Sequence, residues 1–178
     1  RVLVIDKESV GKSQLVASLT GRWAASYKFP GSTVACDCYA DAFYNYIDTP
    51  GLLRRSDSAA CRETLAALSE NERVLLVVNA THIDQDLEDL LGLVEDKHGA
   101  VVVTFWDKVV RIPDAGERLA ELSRRAAIPI IPVDARRLSE THRQDIRRAV
   151  GEGRKFPPKP LSQRAGWTVE PSRTPFDT

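Results

Sequence analysis

The stretch Val2-Leu-Val-Ile-Asp-Lys-Glu-Ser-Val-Gly-Lys-Ser13 constrains this chain more than any other. Four apolar residues, three of them β-branched, suit a strand buried on both faces. They run into a loop ending Gly11-Lys12-Ser13, and Gln14 to Leu19 then opens a helical pattern. A strand, loop and helix in this order form a cradle for phosphate. Backbone N–H groups face inward at the helix start, Lys12 adds a point charge toward the outer phosphates, and the Ser13 hydroxyl is a Mg²⁺ ligand. Ser9, Val10, Gly11, Lys12, Ser13 and Gln14 are the expected cradle residues. Such loops usually open with Gly five residues before Gly11; this chain has Asp6 there, an anion where phosphate must come close.

Further apolar runs at Val74–Val78, Val101–Val103 and Ile128–Ile131 do not alternate, as expected of doubly buried parallel strands. Helical spacing separates them, over Ser13–Thr20, Ser58–Leu68, Asp84–Val94, Ala115–Ala127 and Ser139–Val150. Between Thr33 and Ile47 two strands, Thr33–Tyr39 and Phe43–Ile47, are joined by a tight Ala40-Asp41-Ala42 turn. The predicted fold is an α/β three-layer sandwich of the P-loop NTPase class. It has a mostly parallel six-stranded sheet, one antiparallel edge strand, and helices on both faces. Ligands of such sheets bind beyond the carboxyl ends of the strands, where the Asp6–Ser13 loop falls.

The 178 residues, 43% of them apolar, suffice for one core. Lys plus Arg equals Asp plus Glu, 25 each, so no global field attracts nucleic acid and none is expected as a partner. An odd set of three cysteines without a cleavable-signal pattern fits a reducing setting. No run of ~18 apolar residues spans a bilayer. The chain has no Met and opens directly on a strand, so a piece of a longer polypeptide is expected. Residues 1–152 read as the globular domain. Residues 153–178, punctuated by Pro157, Pro158, Pro160, Pro171 and Pro175 and locally basic through Arg154, Lys155, Lys159, Arg164 and Arg173, read as a linker or tail.

Around the expected phosphates, Asp48-Thr-Pro-Gly51 follows the Phe43–Ile47 strand. Asp48 is placed to hold Mg²⁺ through water, and the Gly51 N–H to meet a γ-phosphate and couple Leu52–Ser58 to the nucleotide's state. Asp-x-x-Gly is also a common turn, and only its position after the cradle favours the switch. Upstream, Phe29-Pro-Gly-Ser-Thr33 enters a strand, with Thr33 as a further Mg²⁺ ligand; its bland alternative is a strand starter. After Val103 comes Thr104-Phe-Trp-Asp107, where guanine-binding proteins carry Asn-Lys-x-Asp. Asp107 alone matches. Its carboxylate accepts two hydrogen bonds from the N–H edge of guanine and meets no such donors on adenine. Phe105 is placed to stack beside the purine, while Trp106 covers the sheet edge. Asp134, Ala135 and Arg136 stand where a short triplet contacts the base, through the Ala135 backbone.

In this order the motifs resemble a translation-factor-class GTPase, and finer matches resemble the N-terminal GTPase domain of the FeoB family of ferrous iron transporters. Phe29-Pro-Gly-Ser-Thr-Val34 is similar to that family's first switch and Asp48-Thr-Pro-Gly51 to its second. Asn79-Ala-Thr-His-Ile-Asp-Gln-Asp-Leu87 is similar to its Asp-Ala-Thr-Asn-Leu-x-x-Asn-Leu stretch. The resemblance covers about Arg1 to Val150. It implies GTP/GDP and Mg²⁺ as ligands, and hydrolysis of GTP served by Lys12, Thr33 and Gly51. It also implies a membrane permease that moves Fe²⁺, in the same full-length chain, and a place at the cytoplasmic face of the inner membrane. Homo-oligomers are left open. The family's Asn that helps bind an activating potassium ion is Ser9 here, which argues against potassium activation. Leu52 follows Gly51, so no side chain in that motif orients the attacking water and hydrolysis is expected to be slow.

Two other readings stay open: a soluble GTPase of ribosome or RNA assembly, and a degenerate scaffold that binds nucleotide weakly, for which Asp6 speaks. Cys36 and Cys38 share a strand face, but two ligands without a second pair read as packing. His82, His98 and His142 lie on separate elements and read as surface or loop residues.

Overall fold

The computed structural model describes residues 1–7, 11–22, 25–28, 35–49, 66, 68–69, 73–158, 161 and 163–169. Its strands are β1 (Val2–Ile5), β2 (Ala25–Lys28), β3 (Ala35–Ala40), β4 (Asn45–Asp48), β5 (Arg73–Asn79), β6 (His98–Thr104), β7 (Ile130–Pro132) and β8 (Arg154–Lys155). The helices are α1 (Lys12–Thr20), α2 (Ile83–Leu91), α3 (Ala115–Ala126) and α4 (Glu140–Glu152), with single 3₁₀ turns at Ala80–His82 and Trp106–Lys108. Residues 66, 68 and 69 are helical; the rest of the helix expected at Ser58–Leu68 lies outside the described residues.

The sheet runs β2-β3-β4-β1-β5-β6-β7. β1 pairs in parallel with β4 and β5, β5 with β6, and β6 with β7. The α/β class and its mostly parallel sheet are as expected, with eight strands among the described residues in place of six. The additional strands lacked an apolar signal. β2 is a four-residue edge strand antiparallel to β3, and β8 is an exposed Arg-Lys pair antiparallel to the start of β6. The expected antiparallel pairing of β3 with β4 is present, and β2 and β8 add two further antiparallel pairs.

Because side chains alternate along a strand, β1 supplies both faces of the sheet. Leu3 and Ile5 enter a cluster with Leu76, Val78, Val101 and Val103, covered by Leu87 and Leu90 of α2 and Leu119 and Leu122 of α3. Val2 and Val4 enter the other, with Leu75, Val77 and Val102, covered by Leu15, Val16 and Leu19 of α1 and Ile146 and Val150 of α4. The helices α2, α3 and α4 are amphipathic because one stripe of each faces this sheet. Ser139 caps α4 by accepting from the His142 N–H at 3.1 Å. Cys36 and Cys38 both pack against the first cluster.

Gly99 sits where β6 meets β5 and β8, and a Cβ built there would overlap the Val74 carbonyl. Gly99→Ala is expected to lower unfolding stability by ~1–3 kcal/mol, as overpacking does when backbone must move. Urea denaturation with an unchanged m-value checks this.

The segment expected as a linker behaves differently over its described part. Phe156, Ala165 and Trp167 are buried in the first cluster, and the Val169 N–H donates to the Thr81 carbonyl at 2.8 Å. Local basicity is paired off as Arg154–Glu152, Lys155–Asp96 and Arg164–Glu88. Widely spaced single apolar residues dock a chain without periodicity, so the pattern that marks helices and strands is silent here. No helix among the described residues is long and apolar enough to cross a membrane.

Candidate nucleotide-binding site

The carboxyl ends of β1, β4, β5 and β6 deliver Asp6, Asp48, Asn79 and Thr104 to one edge of the sheet. The Thr49 hydroxyl and N–H both donate to the Val4 carbonyl, at 2.7 and 3.3 Å, fixing the exit of β4 against that of β1. Asp48 therefore faces Asp6 across the start of α1. Lys12, 1% exposed, lies between them: its Nζ is 3.3 Å from Asp6 Oδ1 and 2.9 Å from Asp48 Oδ1. The Ser13 hydroxyl donates to Asp48 Oδ2. Gly11, at φ +84°, turns the loop into α1, a conformation that disfavours any residue with a Cβ. Ser9, Val10, Thr33, Gly51 and Leu52 lie outside the described residues.

Among the described residues, Lys12 Nζ, Asp48 Oδ1 and both Asp6 oxygens are buried without an aligned hydrogen bond. The contacts to Lys12 are charge pairs held at close range, and a buried polar atom left in this state costs stability. Burial pushes the Asp6 carboxyl up to about 6; Lys12 opposes the shift, and the carboxylates of Asp48 and Asp86 reinforce it. The folded carboxyl thus keeps its proton up to about pH 6, whereas an unfolded one releases it near 3.8. Stability contributed by Asp6 is full below 3.8 and is lost as pH rises through about 6. This component amounts to at most ~3 kcal/mol. Unfolding free energies at acidic and neutral pH should show it as a difference between wild type and Asp6→Asn.

Beside the cradle a cavity of about 250 Å³ is lined by Gly11, Gln14, Thr104, Phe105, Lys108, Asp134, Ala135 and Arg136. All but Lys108 were expected at the site from the sequence. Lys108, on the 3₁₀ turn after Phe105, belongs to no recognisable motif here, and only the turn brings it in. Phe105 has φ +57°, and its Cζ would stand 3.7 Å from a Cβ on Gly11, so its ring packs on the start of the cradle. The Thr104 hydroxyl turns away to the Val78 carbonyl, at 3.3 Å. Asp107 stands beside the cavity with Arg136 Nη2 3.5 Å from its Oδ2, and Arg136 also pairs with Asp134 at 3.2 Å. Hydrogen bonding from Arg136 holds the Asp134 carboxyl below its usual range. Ser18 of α1 donates to the Ala135 carbonyl at 3.2 Å, tying that loop to the helix that carries Lys12.

His82 is not a lone loop residue: its Nδ1 meets Asp86 Oδ1 at 2.9 Å. Asp86 also accepts from the Asn79 N–H at 3.0 Å, fastening the carboxyl end of β5 to α2.

The model of the 50S ribosome-binding GTPase family matches residues 1–107. GTPase Der of Azoarcus sp. (strain BH72) is 34% identical over 128 residues, 61% of this chain and 28% of that protein. Among solved structures, the G domain of the T. maritima FeoB iron transporter superposes with a TM-score of 0.62 at 25% identity, over 75% of this chain and 86% of that one. A GDP-bound mutant of S. thermophilus NFeoB gives 0.68 at 19% identity, over 86% of this chain and 62% of that one. The chain belongs to the 50S ribosome-binding GTPase family, as a GTP-binding G domain with the fold of the FeoB G domains.

Proposed function

We propose that this domain is the nucleotide switch of a ferrous iron transport protein, binding Mg²⁺·GTP and hydrolysing it slowly. Its nucleotide state is coupled to a membrane permease in the same full-length chain, at the cytoplasmic face of the membrane. The observation that carries this reading is the junction at Gly11, where the cavity bounded by Phe105 and Arg136 meets the buried Lys12 Nζ and Asp48 Oδ1, neither of which has an aligned partner. Those atoms suit a phosphate and its metal. Ser13, Asp48 and Thr33 would hold Mg²⁺, which would offset phosphate charge. Lys12 exchanges its carboxylate partners for the outer phosphates. Backbone donors at the start of α1 stabilise charge on the transferring phosphoryl group. A water oxygen attacks the γ-phosphorus as its bond to the β–γ bridging oxygen breaks, yielding GDP and phosphate. Leu52 gives that water no hydrogen bond, hence the slow rate.

A ribosome-assembly role is the second reading, favoured by the family description and by the identity to GTPase Der. Balanced charge weakens it, since Arg124 and Arg125 are both engaged by Glu121.

Titration of fluorescent GDP, GTP and ATP analogues with Mg²⁺, followed by single-turnover phosphate release, tests the switch. Guanine-selective binding with slow release is expected; equal binding of ATP, or none, would overturn it. Co-sedimentation with 50S subunits under GTP would favour the second reading.

A further inference from the structure

We infer that Trp167 is a positioning residue for the base-reading loop, and that the strap formed by residues 163–169 is thermodynamically coupled to guanine recognition. The inference rests on the reading that the Phe105–Arg136 cavity takes the base.

The loop in question, Phe105 to Lys108, holds an aromatic residue at φ +57°. A bulky residue there costs of order 1–3 kcal/mol and persists only when its surroundings over-determine it. Inside, the Phe105 ring packs on Gly11. Within the turn, the Lys108 N–H donates to the Phe105 carbonyl at 3.0 Å, and those of Val109 and Val110 to the Trp106 carbonyl at 3.1 and 3.0 Å. Outside, the Trp106 ring meets Trp167 edge to face, with centroids 6.2 Å apart. Trp106 lies between Phe105, which walls the cavity, and Asp107, which is expected to read the guanine edge, so its rotation would displace both.

Trp167 is itself fixed from three sides. Its Nε1–H donates to the Ala80 carbonyl at 2.7 Å. The Arg118 guanidinium lies 5.3 Å from its ring centroid. The N–H groups of Ala165 and Gly166 each donate to the Asp84 carboxylate at 2.7 Å, and that of Val169 to the Thr81 carbonyl. The strap's anchors Ala80, Thr81 and Asp84 belong to the Asn79–Leu87 stretch that carried the family resemblance. Docking of the strap and seating of the base therefore meet at the Trp106–Trp167 contact. Linkage makes the effect mutual: a bound guanine favours the docked strap as much as the docked strap favours guanine.

The test compares Trp167→Ala, Trp167→Phe and Arg118→Ala with wild type in binding GDP and IDP, which lacks the 2-amino group that Asp107 is expected to read. Phe156→Leu serves as the control. It is buried in the same cluster, but at the amino end of β6, where its N–H meets the Lys97 carbonyl. Trp167→Ala is expected to reduce the GDP-to-IDP preference by ~10-fold, a coupling typical of residues in contact. Trp167→Phe keeps a ring against Trp106 and should recover part of it, and Arg118→Ala should lose part. Phe156→Leu should lower stability and leave the preference unchanged. If Trp167→Ala does not fold, the Phe and Arg118 variants carry the comparison. An unchanged preference in the Trp167 variants, or an equal fall in Phe156→Leu, overturns the inference. A wild type without guanine preference would instead overturn the base-cavity reading, and the strap's role with it.

Discussion

Asp6→Gly will bind GDP with Mg²⁺ more tightly than wild type. Asp6 is 3% exposed, 3.3 Å from the Lys12 ammonium, and stands at the mouth of the turn that would receive phosphate. It acts against phosphate in two ways. The carboxylate repels the incoming anion directly, and together with Asp48 it holds the cation that the phosphate requires. Two unit charges 4 Å apart interact by ~4 kcal/mol at an effective dielectric of 20, and water and rearrangement erode this to a net of ~10- to 100-fold in affinity. Asp6→Asn separates charge from size: it should recover most of the gain if repulsion dominates and little if bulk does. Isothermal titration of GDP into the three proteins reads the effect. Equal affinities would mean that the wild-type loop already accommodates phosphate with Asp6 in place.

Asp107→Asn will exchange guanine preference for xanthine preference. A carboxylate at this position would accept from two guanine N–H groups, whereas an amide offers one acceptor and one donor, matching the N–H and carbonyl of xanthine. Hydrogen bonds to a charged group are worth ~1.5–3 kcal/mol each, and an unmatched donor adds its own desolvation cost. GDP affinity should fall ~100-fold or more, with XDP binding better than GDP. Competition of GDP and XDP for the same fluorescent probe checks this. In the structure Arg136 lies 3.5 Å from the Asp107 carboxylate, on the cavity side. A variant without preference for either base would point to Arg136, rather than Asp107, as the group that reads it.

The parts that could be read from sequence were those whose physics is local. Val2–Ile5 and Val101–Val103 declare themselves as strands because burial on both faces allows no polar interruption. Their carboxyl ends, with that of β4, then bring Asp6, Asp48, Thr104 and Phe105 together by topology. The strap illustrates what pattern misses. Leu161, Ala165, Trp167 and Val169 contact the core singly; the Ala165 and Val169 N–H groups donate to the Asp84 carboxylate and the Thr81 carbonyl, and the Trp167 indole to the Ala80 carbonyl, at the start of α2 and its preceding turn. Such pairings are 80 or so residues apart in sequence and leave no period to detect. The Lys12 arrangement was half legible: Asp6 was recognisable as a misplaced anion, but its role as one of two counter-ions for a buried Lys12 needed the register of β1 against β4.

The most direct measurement is a crystal structure with a nonhydrolysable GTP analogue and Mg²⁺. Lys12 Nζ should leave the Asp48 carboxylate for a phosphate oxygen at ~2.8 Å, the usual length of a charge-assisted bond. Ser13 and Asp48 should face the metal, and the purine should lie against Phe105. Lys12 still held between Asp6 and Asp48, with nucleotide absent or bound elsewhere, would contradict a phosphate cradle at this turn.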